Sequence, residues 1–325
     1  MLTPVLLGLA VWGALALYYQ LPLNETARVV IAGVWGLLAL AAVVGLFAAR
    51  FTPALYGFGA AFLGLMVWWS LILPSNTRDW TAELTQTVSA EINGDQVRVN
   101  NIRDFSWRSE TDFTPRWESR DYDLKTLTSL DTYAVYWMGP AIAHTIVSFG
   151  FEDGRTLAFS IEIRKEKGEV YSPWAGFFKT YELAFIAADE RDLIGLRQVR
   201  GEDQRLFRVS MEPERIRALF LNYLKQGNAL QTSPRFYHTV TANCTTVIFT
   251  MLREIIHGIP LDYRVVASGY VPDYLYELQS LDMRYSLADL RKMGEVAAHY
   301  PKGELDSVAF SRALRAHLPQ LPANQ

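Results

Sequence analysis

Three uncharged apolar stretches fill most of the first 75 residues: Pro4 to Gln20, Val29 to Ala49 and Ala54 to Leu73. A hydrocarbon core takes about 20 apolar residues to cross as a helix, so each stretch is long enough, or nearly so, to span a membrane. The first could be a signal peptide, but it has no basic leader and no small-x-small cleavage site, and two more apolar segments follow it; it reads as a retained helix. A Leu21-Pro22-Leu23-Asn24-Glu25 turn and an Arg50-Phe51-Thr52-Pro53 turn separate the three. Tyr18, Tyr19, Trp68 and Trp69 fall near span ends, where amphipathic rings prefer to sit. With three spans the chain ends lie on opposite sides, and Arg50 in the second loop marks the cytoplasmic side against Arg28 in the first. The expectation is a multi-pass protein of a bacterial inner membrane, with residues 1–74 as anchor and 75–325 facing the periplasm.

The remaining 250 or so residues suffice for one large α+β domain with a substantial core. A net charge of −3 argues against a nucleic-acid partner, which normally calls for a basic patch or domain. Asn93-Gly94-Asp95 predicts a hairpin turn between residues 81–90 and 97–100, because such dipeptides supply the positive φ of a tight turn. A clearer hairpin runs from Ala143 to Phe151, turns at Glu152-Asp153-Gly154 and returns over Thr156 to Arg164, with Leu157, Phe159, Ile161 and Ile163 alternating against Ala158, Ser160, Glu162 and Arg164. Pro213 and Glu214 open a helix that runs through Ile216, Leu219, Phe220 and Leu224 to Gly227. Further helices are expected at 274–281 and 308–318, the latter peripheral and followed by a frayed Pro-Ala-Asn-Gln end.

Cys244 is the only cysteine, so no disulfide forms within the chain. It stands where Thr241-Ala242-Asn243 gives way to an apolar-periodic helix through Val247, Ile248, Met251, Leu252 and Ile255. A free cysteine is commonly an inert core residue, but the unpaired N–H groups of a first helical turn favour a thiolate. Asn243 is the expected N-cap. A thiol also needs a base. His257, His299 and His317 lie far along the cysteine helix or in late peripheral segments, which leaves His144, at the start of a strand, and His238, six residues before the cysteine. If the hairpin loop has three residues, Glu162 pairs opposite His144 on the same side of the sheet and can orient the ring; a slip of one residue opposes His144 with Ile163. The other reading of Glu162 is a surface carboxylate paired with Arg164 or Lys165. No zinc-ligand spacing, His-Glu-x-x-His motif or glycine-rich phosphate loop is present, so neither a metal nor a cofactor is expected.

The order histidine on a strand, polar residue on the next, then Asn-Cys at a downstream helix start resembles the circularly permuted branch of the NlpC/P60-like thiol enzymes. More specifically, the chain resembles the periplasmic domain family of Lnb-type bacterial lipoprotein N-acyltransferases. The residues carrying this are Asn101-Ile102-Arg103-Asp104-Phe105, Tyr122-Asp123-Leu124, His144, residues 159–164, Tyr181-Glu182-Leu183, Asp189-Glu190-Arg191-Asp192 and Asn243-Cys244-Thr245-Thr246, within about residues 95–285. The resemblance implies a papain-like, permuted thiol-enzyme domain in which Cys244 takes a fatty acyl chain from a phospholipid as a thioester and passes it to the α-amino group of a diacylated lipoprotein. It further implies His144 as base, Glu162 as its orienter, and oxyanion or substrate contacts from Asn243, Thr245 and Arg103. Two other readings remain: a thiol hydrolase or amidase acting on cell-wall peptides, and a catalytically inactive membrane-anchored binding module.

Overall fold

The computed structural model describes residues 2–47, 52–303 and 305–321. The expected Arg50 loop and the C-terminal end from Pro322 lie outside the described residues. All three apolar stretches are helical: α1 (Leu2–Gln20), α2 (Glu25–Gly45) and α3 (Thr52–Leu71). Each is long and apolar enough to cross a membrane. Aromatic rings and a polar contact join them. Trp35 of α2 donates its indole N–H to the Ala10 carbonyl of α1 at 3.0 Å and packs on Phe58 of α3, while Trp12 meets Phe62 and Trp69 edge-on. A methyl at Gly13 would come within 2.5 Å of the Trp35 ring, so the close approach of α1 and α2 requires that glycine.

By contacts the chain forms two compact units. The first comprises Met1–Ser75 together with Val170–Glu182 and Phe236–Thr239; the second is Asn76–Glu169, Leu183–Arg235 and Val240–Gln325. The second unit is a mixed α+β domain, as expected from the sequence. Its strands are β1 (Ser89–Asn93), β2 (Gln96–Arg103), β3 (Ser106–Trp107), β4 (Phe113–Thr114), β5 (Trp117–Asp123), β6 (Leu127–Tyr136), β7 (Ala143–Phe151), β8 (Thr156–Arg164), β9 (Glu182–Ala188) and β10 (Asp203–Val209). Its helices are α4 (Glu190–Val199), α5 (Pro213–Thr232), α6 (Cys244–Ile255), α7 (Val271–Glu277), α8 (Leu287–Met293), α9 (Val296–His299) and α10 (Ser307–Arg315).

The main sheet runs in the order β1-β2-β9-β8-β7-β6-β10, with β5 paired to β2. Most pairings are antiparallel and β2 with β9 is parallel. The 81–90 stretch is only partly a strand: a single helical turn occupies Ala82–Leu84, and β1 begins at Ser89. Gly94, at φ 63°, makes the β1–β2 turn. Both faces of the central strands are buried. Ile146 and Ala158 on one face pack with Leu193 and Ile194 of α4, and Phe149 and Phe159 on the other pack against Phe220 and Tyr223 of α5.

Helix α4 is pinned at its start by four consecutive residues, each with its own partner. Asp189 accepts from Arg120 at 2.6 and 2.9 Å, and Glu190 accepts from Arg315, Ser148 and Tyr133. Arg191 reaches Asp104 at 2.5 Å, and Asp192 takes Arg103 in a two-bond fork at 2.8 and 2.9 Å together with the Phe105 N–H and the Trp107 indole. The three carboxylates are essentially inaccessible to water. Their place at a helix N-terminus adds the favourable end of the helix dipole to these pairs.

Candidate active site

Asn243 caps α6 as expected. Its Oδ1 accepts the N–H groups of Thr245 at 2.9 Å and Thr246 at 2.8 Å, and the Thr246 hydroxyl accepts the Asn243 N–H at 3.0 Å, a reciprocal capping box. Cys244 is therefore the first residue of the helix, partly exposed, with its own N–H ahead of the i→i−4 ladder. The cap removes Thr245 from the expected set of oxyanion donors, because its amide is already bonded to Asn243; its hydroxyl lies 3.6 Å from the sulfur instead.

The hairpin register is the one that a three-residue loop predicts. Ile146 pairs with Ser160 and Gly150 with Thr156, so the same register carried two residues on sets His144 opposite Glu162. The β7–β8 ladder stops at Ile146 and Ser160 although the strands continue to Ala143 and Arg164. Cys244 lies near this fork, where His144 and the Thr145 amide both favour a charged sulfur. His144 Nε2 lies 2.6 Å from Ser160 Oγ and 3.2 Å from Glu162 Oε1, and Ser160 in turn donates to Glu162 Oε1 at 2.6 Å. With Nε2 engaged by Ser160 and Glu162, Nδ1 is the nitrogen left for the thiol.

Glu162 does not pair with Arg164, whose guanidinium is taken by Asn76 and the carbonyls of Leu84 and Thr85. Its ion partner is Arg197 of α4, at 2.7 Å. The sequence pattern does not mark Arg197 or Ser160 as site residues; Ser160 lies on the same strand face as Glu162, which is the one signal that could find it. Arg103 is buried against Asp192, with a further bond from Nη1 to the Glu83 carbonyl, so its expected contact with an oxyanion is replaced by a structural pair. Among the other histidines, His238 packs edge-on against Phe177 in the first unit, and His299 and His317 stack on each other.

Electrostatics follow from this chain of contacts. Burial disfavours a charged imidazole, but Glu162 and the Cys244 sulfur outweigh it and raise His144 to about 10. Burial likewise pushes the Cys244 thiol up, and His144 with the Thr145 and Thr245 hydrogen bonds brings it below its ordinary value. Burial would lift Glu162 too, yet His144 and Arg197 hold it well below the carboxylate range. The arrangement thus favours a thiolate beside an imidazolium, the form in which a thiol is a nucleophile.

Tyr223 of α5 carries no signal in the sequence beyond its place on an apolar helix face. Its ring is wedged between Phe159, Phe149 and Phe185, fully buried, and its hydroxyl has no hydrogen-bond partner among the described residues. Burial raises the phenol well above its ordinary value, and the charge of the Cys244 sulfur adds to the shift. A buried donor left unpaired costs about 1–3 kcal/mol, so an orphan O–H that feels the nucleophile's charge is a costly feature to keep without use.

Residues 113–269 match the family model of the Lnb N-terminal periplasmic domain. That segment is similar to the Lnb family's periplasmic domain. The matched stretch includes His144, Ser160, Glu162, Arg197, Tyr223 and Cys244. No curated protein and no solved structure gives a significant match to the chain. Three apolar helices of spanning length precede the matched segment, a combination that points to a membrane protein with a periplasmic domain.

Proposed function

We propose that the protein is a cysteine acyltransferase of the inner membrane, multi-pass, with a permuted papain-like catalytic domain on its periplasmic side. It moves a fatty acyl chain from a phospholipid to the α-amino group of a diacylated lipoprotein. The observation that carries the reading is the hydrogen-bonded chain His144–Ser160/Glu162–Arg197, with Cys244 at the start of α6 interacting electrostatically with His144, in a segment that matches the Lnb family model. In the first half-reaction the Cys244 thiolate attacks the ester carbonyl carbon and the carbonyl electron pair moves to oxygen. As the tetrahedral adduct collapses, the C–O bond to the glycerol breaks and the imidazolium of His144 protonates the departing alkoxide, leaving a thioester and a lysophospholipid. In the second half-reaction the amine attacks the thioester, neutral His144 takes the ammonium proton, and the C–S bond breaks to restore the thiolate.

The negative oxygen of each adduct needs donors, and the capping box has already used the amides of Thr245 and Thr246. We assign this task to the Cys244 N–H at the start of α6 and the Tyr223 O–H, which feels the sulfur's charge. Arg197 keeps Glu162 ionised and in place, and Glu162 with Ser160 holds the imidazole.

Mass spectrometry of protein purified from native membranes tests the reading. A fatty acyl thioester on Cys244, absent in His144→Ala, is the expected result. Normal lipoprotein N-acylation in a Cys244→Ala strain, with no adduct under trapping conditions, would overturn it. A cell-wall amidase using the same pair with water would leave no fatty adduct.

A further inference from the structure

Two segments remote from the spans in sequence, 170–182 and 236–239, belong to the same compact unit as α1–α3. They are tied to each other: the Tyr237 N–H bonds the Tyr181 carbonyl at 2.9 Å, the Thr239 hydroxyl bonds the Pro173 carbonyl at 2.8 Å, and a methyl at Gly176 would meet Thr239 Oγ1 at 2.4 Å. They are also tied to the span ends. Gln20, the last residue of α1, donates to the Phe178 carbonyl at 2.6 Å, and Phe178 stacks on Tyr19 with ring centres 5.4 Å apart. Lys179 donates its ammonium to the carbonyls of Trp69 and Ile72 at 2.8 and 3.1 Å, and lies over the Trp69 ring. Those carbonyls end α3, where unpaired acceptors and the helix dipole favour a cation. Lys179 does this from the left-handed backbone region, φ 55°, where a lysine is strained and a glycine would not be.

What the 170–178 loop leaves uncovered is apolar. Val170 is 84% exposed and Trp174 67% exposed, and Tyr171 beside them is partly so. From Val170 to Tyr181 the only charged side chain is Lys179, and its ammonium is turned to α3. Glu169 precedes Val170 and is partly exposed, but an exposed tryptophan and valine within a twelve-residue run whose one charge is turned away would still be a liability in water. At the level where α1 and α3 end, they have a natural solvent: the boundary of headgroups and acyl chains, where an indole can bury its rings and keep its N–H hydrated.

We infer that residues 170–178 form a lipid-contacting wedge that rests in the bilayer interface at the C-terminal ends of α1 and α3, with Val170 and Trp174 among the phospholipids. This stands independently of the acyl-transfer chemistry. The loop is stapled to the spans through Lys179 and Phe178, so it follows the membrane rather than the solvent.

Site-directed spin labelling of the full chain in phospholipid vesicles tests the inference. In a Cys244→Ala background, single labels are placed at Val170→Cys and Trp174→Cys, with Leu63→Cys in α3 as the lipid reference and a free nitroxide as the aqueous one. The wedge predicts collision with oxygen that approaches the Leu63 value, and collision with a water-soluble nickel chelate reduced by about threefold or more from the aqueous value. Nickel accessibility equal to that of the free nitroxide at both sites overturns it. So does low accessibility to both reagents, which would mean that protein covers the loop. Val170→Cys removes no packed side chain, so it reports even if Trp174→Cys disturbs the loop.

Discussion

Two charged clusters share helix α4 and are wired in opposite ways. At the start of the helix Asp189, Glu190 and Asp192 are buried, and every carboxylate is met by an arginine, a hydroxyl or a backbone N–H from another element. Two turns further on, Arg197 begins a chain through Glu162, Ser160 and His144 that ends on a partly exposed sulfur. The first cluster is closed, and its charges neutralise each other. The second is open: His144 is held protonated by one fixed anion, Glu162, and by one anion, the thiolate, that can leave the pair by reacting. A closed network stabilises a geometry, whereas an open one stores a reactive protonation state. Helix α4 links them, so the buried pairs set the position from which Arg197 acts.

The contrast makes predictions that separate fold from chemistry. The largest effect is expected for Cys244→Ala or His144→Ala, with acyl transfer falling by about 10⁴-fold or to background in a vesicle assay while thermal unfolding changes little. Asp192→Ala should do the reverse. Removing it leaves Arg103 buried and unpaired, at a cost of about 3–5 kcal/mol, visible as a large drop in unfolding temperature in detergent. A soluble, normally melting Asp192→Ala protein would break the distinction between the clusters. Tyr223→Phe keeps the packed ring and removes only the orphan hydroxyl, so turnover should fall by about 10²-fold with stability unchanged or raised. If turnover is unaffected, the hydroxyl is not an oxyanion donor. Arg197→Gln loosens Glu162 without touching the reacting atoms and should cost about tenfold, or ~1.4 kcal/mol, in turnover.

The pH dependence probes the open cluster alone. The Cys244 thiol lies below its ordinary value and His144 is raised to about 10, so the ion pair exists between those two limits. Alkylation of Cys244 should therefore rise at lower pH than for a free thiol, and in His144→Ala it should move to higher pH, because burial then loses its main opponent. Acyl transfer should fall above about pH 10, where His144 has no proton for the leaving group. The stability contributed by protonated His144 is full below its unfolded value near 6.5 and is lost as pH rises through about 10. Identical alkylation profiles in the two proteins would sink the ion-pair account.

Much of this architecture is legible in the amino-acid sequence itself. The spans follow from composition, because no other arrangement hides 20 uncharged apolar residues three times over. The β7–β8 register follows from alternation and a three-residue turn, and it places Glu162 beside His144 because strand side chains repeat every two residues. Asn243 ahead of an apolar-periodic run marks the helix start at Cys244. These are local rules, and they act over a few residues. The tertiary structure decided what depends on packing between remote elements. It spent Arg103 on Asp192 and the Thr245 amide on the Asn243 cap, brought Arg197 from α4 to Glu162, left the Tyr223 hydroxyl unpaired near the sulfur, and joined 170–182 and 236–239 to the span ends. Charge type and periodicity cannot reveal these pairings, because many arginines and acids could meet and only the folded backbone selects which ones do.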